Sequence, residues 1–445
     1  MPDPTVAAIS AAISAKDNAR ALQLAREAVA AHPQRPDLWN ALGVALRVNG
    51  KQAAAVPCYR RALELDPRGA DAYSNMGNAL KDLGRHGEAI AAHRAAIKLR
   101  PVAGSWCNLG VALRESNRLE EAVAAYDEAL RLEPNHADAH FDRAQALLGL
   151  GDYERGWPAF DWRWKTTEAG AMPPFAQPLW DGAPLPDKTL LVWPEQGFGD
   201  SLLSARFVPL ARQRVGKIAL GCKPPLLRLF SRLPGVDHLL PIGSPVPADY
   251  AAHSPIMALP RHFMKSLDDL PSAAKLHVPD EARAKLQPAI AAVKARLKVG
   301  IVWSGSTTFR ANARRATEAS RFLSLAEVPG VRLFSLQVGP RAPDLQDSGG
   351  APLVTDLAPL LSDFADTAAA IEALDLVVMT DSAVAHLAGS LGKPVWNLLP
   401  HYAYWLYLRD RTDSPWYPSM RIFRQPRPGD WDSVFAQVRQ ALAAL

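Results

Sequence analysis

The chain has 445 residues, of which 48% are hydrophobic and 21% charged, with a formal net charge of +5. That length holds two or three domains, each able to bury its own core. The absence of an apolar run of about 18 residues excludes a membrane span, and interspersed basic and acidic residues exclude the basic stripe of a nucleic-acid binder.

The mild positive excess favours anionic ligands. Cys58, Cys107 and Cys222 are too far apart for metal-ligand spacing or a disulfide framework. A reducing cytoplasm is the expected location; no metal and no cofactor are expected. Asp3 stands where a secretory signal would carry Lys or Arg, and "VAAISAAIS" reads as a first helix.

The N-terminal third repeats itself. Segments starting at Asp37, Asp71 and Gly104 align, with Gly43, Gly77 and Gly110 in register and Ala45, Ala79, Ala112 and Ala146 spaced by 34, 33 and 34. Pro33, Pro67, Pro101 and Pro134 close successive units. A period near 34 with small residues in the first helix resembles the tetratricopeptide repeat, in which each unit buries its apolar face against its neighbours. The reading gives three good repeats, a degenerate one over about residues 5–36 and a last one from Asp138, with Arg143 at its glycine position. The array, assigned to 1–168, forms an α-solenoid whose groove is expected to hold an acceptor protein or peptide; a scaffold or dimer interface is the plainer alternative.

Residues 153–180 follow, rich in Tyr153, Trp157, Phe160, Trp162, Trp164, Phe175 and Trp180. Their spacing points to packing between the array and the next domain rather than to a sugar site.

From Thr189 onward, short apolar runs alternate with helical patterns, the signature of parallel α/β units. The first half, 169–296, has expected strands near 190–193, 217–221, 236–242 and 255–259, and helices near 200–213 and 224–232. The second, 297–445, has expected strands at 298–305, 331–337, 375–380, 393–399 and 420–425, with helices near 320–327, 363–373, 382–391 and 431–444. Ligands in open α/β sheets sit at the carboxyl ends of strands, which selects the loops after Trp193, Trp303, Gln337, Thr380 and Leu399.

The loop "EQGFGD" (Glu195 to Asp200) has the first two glycines of a dinucleotide fingerprint, Gly197 and Gly199, but Leu202 replaces the third. The Gly-Lys-Ser/Thr of a P-loop is absent. A tight turn placing Asp200 at a helix start remains. Asp200 is then an N-cap, a general base for an incoming hydroxyl, or both, with Glu195 as a second candidate base.

In "TDSAVAHLAGSLGKPVW" (380–396), Asp381 and Ser382 open a helix whose backbone N–H groups suit a phosphate, and His386 lies one turn further in. A buried cap with a satisfied histidine is the alternative. "VWSGSTTFRANARR" (302–315) carries Ser304, Asn312, Arg310, Arg314 and Arg315, which form either a diphosphate clamp or a solvated face. The Asp430-Trp431-Asp432 run reads as a helix cap, not a metal site.

"EQGFGDSLLSARFVPLA", "KVGIVWSG", "DFADTAAAIEALDLVVMTDSAVAHLAGSLGKPVWNLLP" and "DSPWYPSMRIFRQ" together resemble the C-terminal domain of bacterial tetratricopeptide-repeat proteins related to heptosyltransferase-type glycosyltransferases (glycosyltransferase family 9). The resemblance covers about Thr189–Leu445. It implies a GT-B fold of two facing Rossmann-like domains, the first on the acceptor side and the second on the nucleotide-sugar side, with an inverting mechanism and no obligatory metal. It implies Asp200 as catalytic base, with Glu195, Gln196, Gly197 and Gly199 in the acceptor-side loop. Asp381, Ser382, His386, Ser304, Asn312, Arg314 and Arg315 would bind the nucleotide-sugar, a co-substrate. The loop at 307–317 departs from the family in losing an acid at Ala313, and "HYAYWLYLRD" (401–410) departs by losing polar groups. The expectation is a glycosyltransferase acting on a protein hydroxyl; the alternative is a non-catalytic adaptor with a degenerate domain. The sequence specifies no oligomeric state.

Overall fold

The structure, a computed structural model, describes residues 4–166, 172–308 and 312–445. It divides into two compact units. One is the chain up to Leu150 together with a segment from Ala159; the other is Gly151–Pro158 together with the chain from Met172.

The first unit is built of helical hairpins: α1 (Pro4–Ser14), α2 (Asn18–Ala31), α3 (Pro36–Val48), α4 (Gln52–Leu65), α5 (Ala70–Asp82), α6 (His86–Leu99), α7 (Ala103–Glu115), α8 (Leu119–Leu132) and α9 (Ala137–Gly149). The N-terminal region thus carries tetratricopeptide repeats, and the degenerate first unit forms the same hairpin as the others. The period has a steric cause. A Cβ on Gly43, Gly77 or Gly110 would lie 2.4, 2.6 or 2.5 Å from the ring of Tyr59, His93 or Tyr126 on the second helix of the same hairpin. One core runs without a break from Ile9 to Leu147, as expected when each unit is buried only by its neighbours. The turn inside each hairpin needs a left-handed residue, supplied by Lys16, Gly50, Gly84 and Asn117, with φ of 59°, 73°, 73° and 62°.

The last unit corrects the sequence reading. In register with the three glycines stands Ala144, fully buried, while Arg143 points to Asp127. The alanine register, two residues before Ala146, already fixes that position.

The aromatic-rich stretch is spent on packing. Trp162 stacks on His140 at 3.9 Å within the first unit. In the second unit, Trp157 meets Trp405 at 5.2 Å and Tyr153 meets Trp416 at 6.4 Å, and Phe175 lies 4.6 Å from His253.

The second unit contains two parallel sheets. Strands β1 (Leu185–Trp193), β2 (Val215–Cys222), β3 (His238–Pro241) and β4 (Tyr250–Pro255) are ordered β3-β2-β1-β4. Strands β5 (Leu297–Val302), β6 (Val331–Ser335), β7 (Val354–Asp356), β8 (Leu376–Thr380), β9 (Val395–Leu399) and β10 (Met420–Arg424) are ordered β10-β9-β8-β5-β6-β7. Every pair is parallel. Near-continuous apolar strands, such as the fully buried Leu376–Thr380, are what parallel sheets covered on both faces require. The second order, 6-5-4-1-2-3 in local numbering, is that of a doubly wound sheet, with its switch point between β5 and β8. Val302 pairs with Met379, so the loops after β5 and β8 leave at one level.

Several elements differ from expectation. The run at 255–259 is not a strand: β4 ends at Pro255 and Ile256–His262 is a 3-10 helix. A fully buried apolar run does not by itself distinguish the two, and Pro255 and Pro260 donate no ladder bonds. The helix at 200–213 is broken into Phe198–Ser204, a 3-10 turn at Ala205–Phe207 and Val208–Arg212. The helix near 224–232 shortens to Leu227–Phe230 after a 3-10 turn. The helix near 320–327 is Ala319–Leu323 followed by a 3-10 turn. Strand β7, only three residues long, has no counterpart in the sequence reading.

Candidate functional site

The loop after β1 opens the helix Phe198–Ser204. Its N-cap is Gly197, not Asp200. Asp200 is the third helical residue, and its carboxylate reaches back to accept the Gly197 N–H at 3.1 Å. Neither glycine has positive φ, so no tight turn needs them. They provide space: a Cβ on Gly197 would lie 2.6 Å from the Asp200 carboxylate, and one on Gly199 2.9 Å from the His386 ring. The Glu195 carboxylate accepts the Met257 N–H at 3.2 Å. The Gln196 carbonyl accepts from the Lys223 ammonium, which also lies 5.2 Å from the Phe198 ring. Burial holds Lys223 below its ordinary pKa, opposed in part by the charge of Asp200.

The loop after β8 opens the helix Ala383–Ser390, which packs along Phe198–Ser204. Ser382 is its N-cap and accepts the Val384 N–H at 3.3 Å. His386 is buried against Gly199, and its Nδ1 lies 3.2 Å from the Tyr417 hydroxyl. Burial lowers its pKa to about 4; Asp381 opposes that shift, while Arg206 and Arg315 add to it. His386 is therefore neutral at pH 7, packed against Gly199 and hydrogen-bonded to Tyr417. Tyr417 rests under the Arg206 guanidinium at 4.8 Å. Buried Arg206 donates to the carbonyls of Leu203, Pro271 and Trp416 at 3.2, 3.2 and 3.0 Å.

The loop after β5 is tied down by Gln337, whose side-chain oxygen accepts the N–H groups of Trp303 and Ser304 at 3.1 and 3.0 Å. Asn312 spans it, accepting the Gly305 N–H and donating to the Ser304 hydroxyl, both at 3.1 Å. Ser304 and Asn312 therefore shape the loop. Arg315 donates to Asp381 at 3.2 Å, and a Cβ on Gly305 would lie 2.9 Å from its Nη2. Arg314 is exposed on the adjoining turn, and Arg310 lies outside the described residues. The second oxygen of Asp381 accepts from the Tyr407 hydroxyl at 2.7 Å. The run 401–410 thus supplies a polar group to this loop cluster, where the sequence comparison suggested only a loss.

Segments following β1, β5, β8 and β9 meet here: Gly199 packs on His386, and Arg315 and Tyr407 both bond Asp381. The sequence reading missed Lys223, Arg206, Tyr407 and Tyr417. Lys223 had one available signal, its position just after β2. The others lie in irregular segments with no period to mark them. Among the described residues, no group of three or more His, Cys, Asp or Glu is arranged to hold a metal ion. Asp430 caps the final helix by accepting the Ser433 N–H, as its sequence context indicated.

In the array, the first helices of successive hairpins are laced by Arg47–Asp82, Lys81–Glu115 and Arg114–Asp142 at 2.8, 4.0 and 3.0 Å, and by Asn75 to Asn40 at 3.0 Å. A cavity of about 360 Å³ lies among α6, α7 and α8, floored by Leu109 and Leu113 and flanked by Trp106, Arg94 and Glu121.

Residues 45–84 and 110–151 match the TPR repeat family, and residues 70–102 match the tetratricopeptide repeat. Protein FlbA of Caulobacter vibrioides is 29% identical over 335 residues, 68% of this chain. That share exceeds the repeats and so runs into the α/β region. The chain spans about half of that relative, 54% of its length. Among solved structures, MamA is 21% identical, with a TM-score of 0.33 over 37% of this chain and 95% of MamA. PilF of Pseudomonas aeruginosa is 23% identical, with a TM-score of 0.33 over 35% of this chain and 73% of PilF. YrrB, described as a TPR protein with an unusual peptide-binding site, is 18% identical, with a TM-score of 0.31 over 36% of this chain and 84% of its own. No helix among the described residues is long and apolar enough to cross a membrane.

Proposed function

We propose that the α/β unit is a glycosyltransferase of GT-B type, moving a sugar from a nucleotide-sugar to an acceptor hydroxyl on a protein held by the repeats. The observation that carries this reading is the meeting of Arg315, Gly305 and Asp381 at the switch point of the second sheet, where anionic ligands of doubly wound folds bind. The packing of Gly199 against His386 supports it by bringing the Asp200 loop to the same helix. Asp200 would take the proton of the acceptor hydroxyl, and Arg315 with the Ser382 helix end would balance charge on the leaving diphosphate. The inverting, metal-independent course belongs to the same proposal. The repeats, which commonly bind peptides, would hold the acceptor.

A second reading rests on one observation: the carboxylates of Asp200 and Asp381 are both bonded within the protein. It makes the chain a repeat adaptor whose α/β unit senses a nucleotide or only stabilises the fold. Thermal-shift titration with UDP-, GDP-, ADP- and CMP-sugars separates the possibilities. Stabilisation by one of them, followed by donor turnover that collapses in Asp200→Ala while binding survives, is the expected result for the enzyme. Binding without turnover leaves the adaptor, and no binding removes the nucleotide-sugar from both.

A further inference from the structure

We propose that Tyr407 is a positioning residue for a phosphate-bearing ligand: its hydroxyl fixes the Asp381 carboxylate, which in turn holds the Arg315 guanidinium over Gly305. The inference rests on the nucleotide-sugar reading and deepens it by assigning how the diphosphate end is recognised.

Asp381 is 6% exposed. One of its oxygens takes the Tyr407 hydroxyl at 2.7 Å and the other takes Arg315 at 3.2 Å. Without the phenol, the carboxylate is free to rotate, and the guanidinium loses its fixed direction. Arg315 keeps 20% of its side chain in solvent, so a ligand reaches the cation from outside while the carboxylate stays beneath it. A planar guanidinium in a set orientation is suited to phosphate oxygens.

The placement of Tyr407 is costly, which argues that it is more than core filling. Tyr407 ends a short 3-10 turn, followed by Leu408 at φ 45° and Asp410 at φ 59°. Non-glycine residues in such conformations are strained and persist only where the surroundings enforce them. Here Arg424 enforces them, donating to the carbonyls of Leu408 at 2.8 Å and Tyr407 at 3.4 Å. The phenol stays a donor, because burial, with Asp381 beside it, keeps its pKa well above the ordinary value.

The test is calorimetric titration of the full chain with UDP, ADP, GDP and CDP, and with the parent nucleosides. The wild-type protein is expected to bind one diphosphate more tightly than its nucleoside. Tyr407→Phe is expected to weaken that diphosphate about tenfold while leaving the nucleoside unchanged. Arg315→Lys should cost at least as much, and the double variant no more than Arg315→Lys alone, since Tyr407 acts through Arg315. Should Tyr407→Phe fold poorly by circular dichroism, Asp381→Asn serves in its place with the same expected pattern. An unchanged diphosphate affinity, or an equal loss for nucleoside and diphosphate, overturns the positioning role and leaves the nucleotide-sugar reading standing. A wild-type protein that binds no diphosphate overturns both.

Discussion

The array and the α/β unit solve the same problem, seating a bulky ring against a glycine, over very different sequence distances. In the array, Gly43, Gly77 and Gly110 each face a ring sixteen residues further on, in the same hairpin. In the α/β unit, Gly199 faces His386, and Arg206 bonds a carbonyl 210 residues away. Local contacts make the array tolerant and modular. Long-range contacts make the α/β unit dependent on a few buried polar groups, where loss of one partner leaves others unsatisfied.

That contrast predicts that the largest effect comes from Arg206→Met. Three backbone carbonyls lose their donor and Tyr417 loses its cover, for a destabilisation of about 3 kcal/mol or more. Hydrogen-exchange mass spectrometry should show it in the α/β unit alone; a change spread equally over the array would break the comparison.

Acid should unsettle both units through buried histidines, most strongly His93 in the array and His386 in the α/β unit. Burial lowers the pKa of His93, and that of His386, to about 4 from 6.5. A depressed histidine stabilises the fold fully above pH 6.5, and the contribution is lost as pH falls from 6.5 towards 4, roughly 3 kcal/mol for each. His93→Tyr, which restores the ring found at Tyr59 and Tyr126, should remove this sensitivity from the array only. Melting curves at pH 7 and pH 5 check it, and an unaltered pH dependence of the array would count against it.

Matched overpacking comes next. Gly110→Ala drives a Cβ to 2.5 Å from Tyr126, and Gly199→Ala drives one to 2.9 Å from His386; each should cost about 1–3 kcal/mol. Only Gly199→Ala should also weaken nucleotide binding, since His386 and Asp381 share one helix end. Equal ligand affinity in the two variants would sever that link.

The smallest effect is a gain. Lys16 holds a left-handed turn that Gly50 and Gly84 fill elsewhere, so Lys16→Gly should stabilise the first hairpin by about 1 kcal/mol, measured by chemical denaturation.

The array was legible in the sequence down to single residues, because a Gly-ring contact inside each hairpin repeats with the period of the chain. The slip at Arg143 was one of register, and Ala146 already carried the correct count. In the α/β region, most strands were legible from apolar runs, whereas Ile256–His262 was not, since burial on all sides erases the period that separates strand from helix. The candidate loops were found through the strand-end rule, but the roles within them were not. The seat of His386 between Gly199 and Tyr417 has no local signal, and the 401–410 run, read as a loss, contributes Tyr407.

Sequence alone determined the repeats, the alternation of strand and helix, and the loops that end at the sheets' carboxyl edges, because periodicity and composition are local properties. Only the tertiary structure decided that Gly199 makes room for His386, that Asp200 folds back onto Gly197, and that Tyr407 and Arg315 divide the oxygens of Asp381. These are contacts between segments whose separation obeys no period, so the packed fold alone specifies them.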